Sequence, residues 1–123
     1  AAITQARSAA GNGDVSVVFQ PHLYSRTQSF AERFADALSH ADHVYVCDIY
    51  GAREDPVPGV DSTLITSHLP KARYVPDMHE AARLAAREVA VGGILLTMGA
   101  GSITQCDQDV LDEWEHDGAG SAQ

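Results

Sequence analysis

Val15-Ser16-Val17-Val18-Phe19-Gln20-Pro21-His22-Leu23-Tyr24-Ser25-Arg26-Thr27 is the stretch that decides the fold of this chain. The run from Val15 to Phe19 is β-branched and aromatic with little alternation, the pattern of a strand covered on both faces of a parallel sheet. Pro21 has no N–H to give to a sheet ladder. It therefore ends the strand and leaves His22, Tyr24 and Arg26 at the carboxyl edge. Ser25-Arg26-Thr27-Gln28 has the S-x-x-Q spelling of a capping box, which predicts that a helix opens here with Arg26 in its first turn. Unpaired backbone N–H groups and a guanidinium then point at one spot, and a carboxylate or phosphate fits it.

Outward from this junction the strand-then-helix alternation repeats. The spacing of Phe30, Phe34, Ala37, Leu38 and Ala41 predicts a helix over 27–40 with those residues on its packed face. A second strand is expected over 43–49, then a loop over 50–59 rich in Gly, Pro and charge, and a short helix capped by Ser62 and running to His68. Arg73 to Val75 reads as a short third strand. Asp77-Met78-His79-Glu80 again has capping-box form and opens a helix to about Ala90, with Ala81, Leu84, Ala85 and Val89 inward and Arg83 and Arg87 outward. Gly92-Gly93 breaks that helix. A fourth strand follows over 93–98, then a turn over 99–104 and a last helix over 106–116 that packs through Val110, Leu111 and Trp114.

This order implies an α/β fold, an open and mainly parallel twisted sheet with right-handed crossovers and helices on both faces. Ligands of such sheets sit at the carboxyl ends of the strands. Three loops share that rim: 22–27, 48–54 and 99–102. Asp48 either closes a helix cap or polarises a ligand. Tyr50 packs the loop, and Arg53 with Glu54 reads as a solvated ion pair.

With 123 residues the chain has the length of a single domain, expected over 1–117 with a loose tail over 118–123. Its 45% hydrophobic and 20% charged residues are ordinary for a globular, soluble protein. No apolar run approaches the roughly 18 residues that cross a bilayer. The net charge of −9 opposes long-range attraction to nucleic acid or an anionic membrane. Much of it comes from Asp107, Asp109, Asp112, Glu113, Glu115 and Asp117, read as the solvated face of the last helix. No signal-type segment opens the chain. Ala2, Ile3, Ala6 and Ala9 lie on a helical face without a cap, as in a piece of a longer protein.

Several chemistries are excluded. The single lysine, Lys71, lies in His68-Leu69-Pro70-Lys71-Ala72, far from any G-x-x-x-x-G-K-[ST] loop, so the chain cannot cradle a nucleotide that way. Gly99-Ala100-Gly101 lacks the third glycine of G-x-G-x-x-G. It is either a plain turn or a set of backbone N–H groups offered to a carboxylate. The six histidines have no metal-ligand spacing, and no metal site is expected. Cys47 and Cys106 lack CxxC spacing; Cys47 reads as a small buried apolar residue. Without a G-x-S-x-G elbow there is no case for a hydrolase triad.

Four segments carry a resemblance: Phe19 to Thr27, Val46-Cys47-Asp48-Ile49-Tyr50-Gly51-Ala52-Arg53-Glu54, Tyr74-Val75-Pro76-Asp77, and Leu96-Thr97-Met98-Gly99-Ala100-Gly101. In this order they resemble the carboxyl-terminal domain of the Mur ligases that join L-alanine to UDP-N-acetylmuramate, and the resemblance runs from Ala1 to about Trp114. Members of that family often carry Arg where this chain has Leu23 and Asp where it has Ser102. The resemblance implies a Rossmann-like domain of a cytoplasmic enzyme of peptidoglycan precursor synthesis. It implies that His22, Arg26, Gly99, Ala100, Gly101 and Ser102 bind L-alanine, with Tyr24, Asp48 and Tyr50 close by. ATP and Mg2+, and most of the hold on UDP-N-acetylmuramate, would belong to other domains of the full-length enzyme. No catalytic residue is then expected in this chain, and none of the turnover. Two rival readings are a free-standing flavodoxin-like binding or signalling module, and a related Mur-type domain serving a different acceptor. Against the first, strand one ends in Gln20-Pro21-His22 instead of an acidic cluster or a phosphate loop.

Overall fold

The computed structural model describes Ile3 and residues 13–51, 53–89 and 93–99. Within them run β1 (Val15–Gln20), α1 (Tyr24–Leu38), β2 (His43–Val46), α2 (Thr63–Thr66), β3 (Arg73–Tyr74), α3 (Met78–Glu88) and β4 (Ile94–Gly99). The four strands form one sheet in the order β3-β2-β1-β4, and every pairing is parallel. β1 is central and buried at all six positions, which is why its sequence shows so little alternation.

Alternate strand residues supply two cores. Val15, Val17 and Phe19 join Val44 and Val46 on the side covered by α1 and α2, with Ala31, Ala35, Leu38, Ile65 and Leu69. Val18, Tyr45 and Cys47 face α3 on the other side, against Ala81, Ala82, Ala85 and Ala86. Four alanines bring that helix close to the sheet. Each face is therefore covered by helix, as the α/β reading requires.

Several element boundaries differ from the sequence expectation. α1 starts at Tyr24, three residues early, after Leu23 at φ 70, and no side chain of Leu23 caps it. Ser25 is not the cap, because its N–H and hydroxyl bind Glu54 from inside the first turn. The packed face of α1 is Thr27, Ala31, Ala35 and Leu38. Phe30 is instead 41% exposed and Ala37 is exposed. Phe30 has non-helical backbone angles, φ −125 and ψ 17, so a kink sits where the regular spacing was assumed. Phe34 does pack, with its ring 5.4 Å from that of Phe19.

The short helix is also capped differently. Asp61 accepts the Thr63 N–H at 2.8 Å, while the Ser62 hydroxyl donates to the Cys47 carbonyl and ties this segment to the end of β2. In α3 the cap is the one expected: Asp77 accepts the His79 N–H at 3.1 Å. Glu80 turns to Arg83 at 3.4 Å. Leu84 is only half-buried, displaced by Ala82 and Ala86, and the helix ends at Glu88. β2 and β3 are shorter than expected, yet single backbone bonds continue them, Cys47 N–H to Phe19 O and Val75 N–H to Val46 O, each at 2.9 Å.

The two-residue edge strand is fastened by side chains. Arg73 grips Glu88 with both guanidinium nitrogens at 2.6 and 3.1 Å, and the buried Tyr45 hydroxyl donates to the same carboxylate at 2.5 Å. Ile3 is buried against the α1 core. The expected turn at 100–104, the last helix with Cys106 and its acidic residues, the tail, and Ala2, Ala6 and Ala9 lie outside the described residues.

Candidate functional site

The parallel register brings the carboxyl ends of β1, β2 and β4 to one edge, with Gln20 opposite Gly99 and Phe19 opposite Val46. Pro21 ends β1 but not the pairing. Its carbonyl accepts the Tyr50 N–H at 2.8 Å, His22 and Tyr50 form a parallel bridge, and the Leu23 N–H reaches the Tyr50 carbonyl at 2.9 Å. The turn after β1 and the loop after β2 thus run zipped together beyond the sheet.

This zipper has consequences for side chains. The His22 ring stacks on the Tyr50 ring, with centroids 5.8 Å apart and planes 16° apart. Tyr24 lies against Gly51, where an added Cβ would come within 2.5 Å of the tyrosine ring. Leu23 is held in the left-handed region by its N–H bond and by its carbonyl, which accepts both the Thr27 N–H at 3.1 Å and the Thr27 hydroxyl at 2.9 Å. Such a backbone for a residue other than glycine costs of order 1–3 kcal/mol and persists where neighbouring bonds determine it.

The amino end of α1 is filled from within. Glu54 reaches across from the loop after β2, accepting the Ser25 N–H at 3.1 Å and the Ser25 hydroxyl at 2.5 Å. These bonds, the hydroxyl first, hold the Glu54 carboxyl below its usual range, with smaller help from the Tyr24 N–H and the nearby His22. Glu54, expected to form a solvated ion pair with Arg53, instead binds Ser25 at this helix end. Its partner is 29 residues away, so nothing in the local spelling could have disclosed the contact.

Arg26 stands in the first turn of α1, exposed, with its guanidinium free of hydrogen bonds and ion pairs to any described residue. His22 is half-buried and its ring nitrogens have no hydrogen-bond partner among the described residues. His22 and Tyr50 are brought together and Tyr24 lies on the adjacent Gly51, while Arg26 follows in the first turn of α1. Asp48 goes elsewhere: its carboxylate accepts the Tyr74 hydroxyl and its N–H bonds Pro76 O at 3.0 Å, on the β3 side of β2. That bond, together with burial, pushes the Tyr74 phenol up to about 12. Gly99 sits at the end of β4 with φ +145, where a Cβ would meet the Gln20 carbonyl at 2.6 Å. Ala100, Gly101 and Ser102 lie outside the described residues.

Gln20 is a further rim residue that sequence reasoning passed over. It is buried, its amide nitrogen reaches Met78 Sδ at 3.6 Å, and its Oε1 has no hydrogen-bond partner among the described residues. Among the described residues no three His, Cys, Asp or Glu side chains converge as a metal ion would require. The sequence contains no G-x-x-x-x-G-K-[ST] loop of the kind that cradles nucleotide phosphates. No described helix is long and apolar enough to cross a membrane. An open depression of about 840 Å³ lies away from the rim, along α1 and the end of α2, lined by Glu32, Arg33, Asp36 and His68 among others.

The family model described as the Mur ligase, glutamate ligase domain, matches residues 1–101. The chain belongs to the Mur ligase family. This Mur ligase domain is 53% identical over 104 residues to the UDP-N-acetylmuramate–L-alanine ligase of Paenarthrobacter aurescens, covering 85% of the chain and 23% of that relative. It is 49% identical over 102 residues to the enzyme of the same name from Rhodococcus opacus, covering 82% of the chain and 20% of the relative. The domain thus spans about a fifth to a quarter of the length of these curated relatives. In fold it matches a crystallised domain of a UDP-N-acetylmuramate:L-alanyl-gamma-D-glutamyl-diaminopimelate ligase from Haemophilus ducreyi, with a TM-score of 0.62 at 18% identity over 90% of this chain and 76% of that one.

Proposed function

We propose that this domain is the amino-acid-binding part of a cytoplasmic ligase that joins L-alanine to UDP-N-acetylmuramate. In that reaction the amine of L-alanine attacks the muramate carbonyl, activated as an acyl phosphate at a nucleotide site outside this chain. The new C–N bond forms as the C–O bond to phosphate breaks, and the amine gives up a proton. The observation that carries the reading is a pair of groups at the rim with no hydrogen-bond partner among the described residues, the Arg26 guanidinium and the His22 ring nitrogens, in a chain about half identical to alanine ligases.

Arg26 pairs with the alanine carboxylate through a charge-assisted bond and His22 adds a second contact. Because Glu54 already holds the helix amino end, the guanidinium and not the backbone is the main anchor. Gly99 ends β4 at the same edge and Ala100, Gly101 and Ser102, next in sequence, complete the amino-acid site, while Tyr50 stacks on His22. Asp48 serves the β3 edge. Catalysis by this domain is positioning: it fixes the amine near the acyl phosphate, and closure against the rest of the enzyme excludes water that would hydrolyse it.

The test is phosphate release by the complete enzyme, supplied with ATP and UDP-N-acetylmuramate and then with L-alanine, glycine, L-serine or D-glutamate. L-alanine should drive release best, and the 123-residue chain alone should release none. Preference for another acceptor, or turnover by the chain alone, overturns the proposal.

A further inference from the structure

α1 begins without a cap of its own, since Leu23 offers an apolar side chain and a left-handed backbone where a Ser or Asp would close the helix. The missing acceptor comes from the loop after β2. Glu54 is aimed by the turn that its own N–H closes onto the Gly51 carbonyl at 2.8 Å, and it takes both donors of Ser25. Turn and loop are thereby clamped at three successive places: the backbone pairing of Pro21, His22 and Leu23 with Tyr50, the seat of Tyr24 on Gly51, and the Ser25 to Glu54 bonds. Arg26 is the next residue after the last clamp.

We propose that Glu54 is a positioning residue of the amino-acid site, docking the turn 22–26 onto the loop 50–54 so that Arg26 and His22 face one substrate carboxylate. The inference rests on the assignment of this rim to L-alanine. Glu54 does not touch the amino acid. By accepting the Ser25 N–H it also occupies the helix end, which leaves the guanidinium as the anchor for the substrate carboxylate.

The experiment is steady-state kinetics of the complete ligase carrying Glu54→Ala, Glu54→Gln or Arg26→Ala. Glu54→Ala should raise the KM for L-alanine about tenfold while the KM values for ATP and UDP-N-acetylmuramate stay within about twofold, because only the geometry of the carboxylate anchor is lost. Glu54→Gln keeps an acceptor for Ser25 and should recover most of the affinity. Melting curves matching wild type within experimental error show that each variant is folded. An unchanged KM for L-alanine in a folded Glu54→Ala enzyme, a parallel rise in all three KM values, or a Gln variant as impaired as Ala would overturn the proposal. Arg26→Ala separates the two claims. If it responds and Glu54→Ala does not, only the role of Glu54 fails; if neither responds, the assignment of the rim to L-alanine fails and takes this inference with it.

Discussion

His22 and Tyr50 are joined twice, by a parallel backbone bridge and by stacked rings whose centroids lie 5.8 Å apart. The bridge fixes where the histidine sits and the stack fixes which way its ring faces. Tyr50 is 39% exposed, so it serves little as core. In the complete ligase Tyr50→Ala should raise the KM for L-alanine about three- to tenfold, in keeping with the roughly 0.5–1.5 kcal/mol of an aromatic pair, while Tyr50→Phe changes little. Equal kinetics for Ala and wild type would mean that the stack does not orient His22.

Gly99 presses on Gln20. A Cβ at Gly99 would stand 2.6 Å from the Gln20 carbonyl, and φ is +145, a backbone that other residues rarely adopt. Gly99→Ala should destabilise the chain by about 1–3 kcal/mol. Urea unfolding measures it, with a lowered midpoint and an unchanged slope expected. A neutral effect would contradict the close approach of β4 to β1 at this end.

The overall architecture was legible because it depends on periodicity and punctuation. Uniform apolar character in β1, proline after it, and the Asp77 cap all act within a few residues of one another. The packed face of α1 was misread because Phe30 sits at a kink that no spacing rule anticipates. The site was half legible for a related reason. His22, Tyr24 and Arg26 share the end of one strand, whereas Glu54 reaches Ser25 and Asp48 reaches Tyr74 across 29 and 26 residues, contacts made only once the parallel register exists.

The Tyr45, Glu88 and Arg73 cluster should give stability a two-sided pH dependence. The Tyr45 hydroxyl first, then Arg73, holds the Glu88 carboxyl below its ordinary 4.5. The folded state binds that proton less readily, so this contribution is full above 4.5 and is lost as pH falls through the lower folded value. Burial first, then Glu88, raises the Tyr45 phenol above its ordinary 10.0. That contribution is full below 10.0 and is lost as pH rises beyond it. Urea midpoints across a pH series check both limits. Glu88→Gln should weaken the acid fall, and Tyr45→Phe should weaken the alkaline one while costing about 1–2 kcal/mol at neutral pH. An unaltered pH profile in both variants would contradict the cluster.

Asp48 and Tyr74 can be read separately. Because the Asp48 bond is the main reason that the Tyr74 phenol is pushed up to about 12, Asp48→Asn should bring that phenol down toward 10.0. Phenolate absorbance during an alkaline titration reports it. A titration curve identical to wild type would place the Asp48 carboxylate elsewhere.

The most direct measurement is the KM for L-alanine of the complete ligase carrying Arg26→Ala, taken beside its KM for ATP. A lost charge-assisted pair of about 1.5–3 kcal/mol corresponds to a rise of roughly ten- to a hundredfold in the KM for L-alanine with the KM for ATP nearly unchanged. Equal changes for both substrates, or none for L-alanine, would contradict the claim that this rim holds the amino acid.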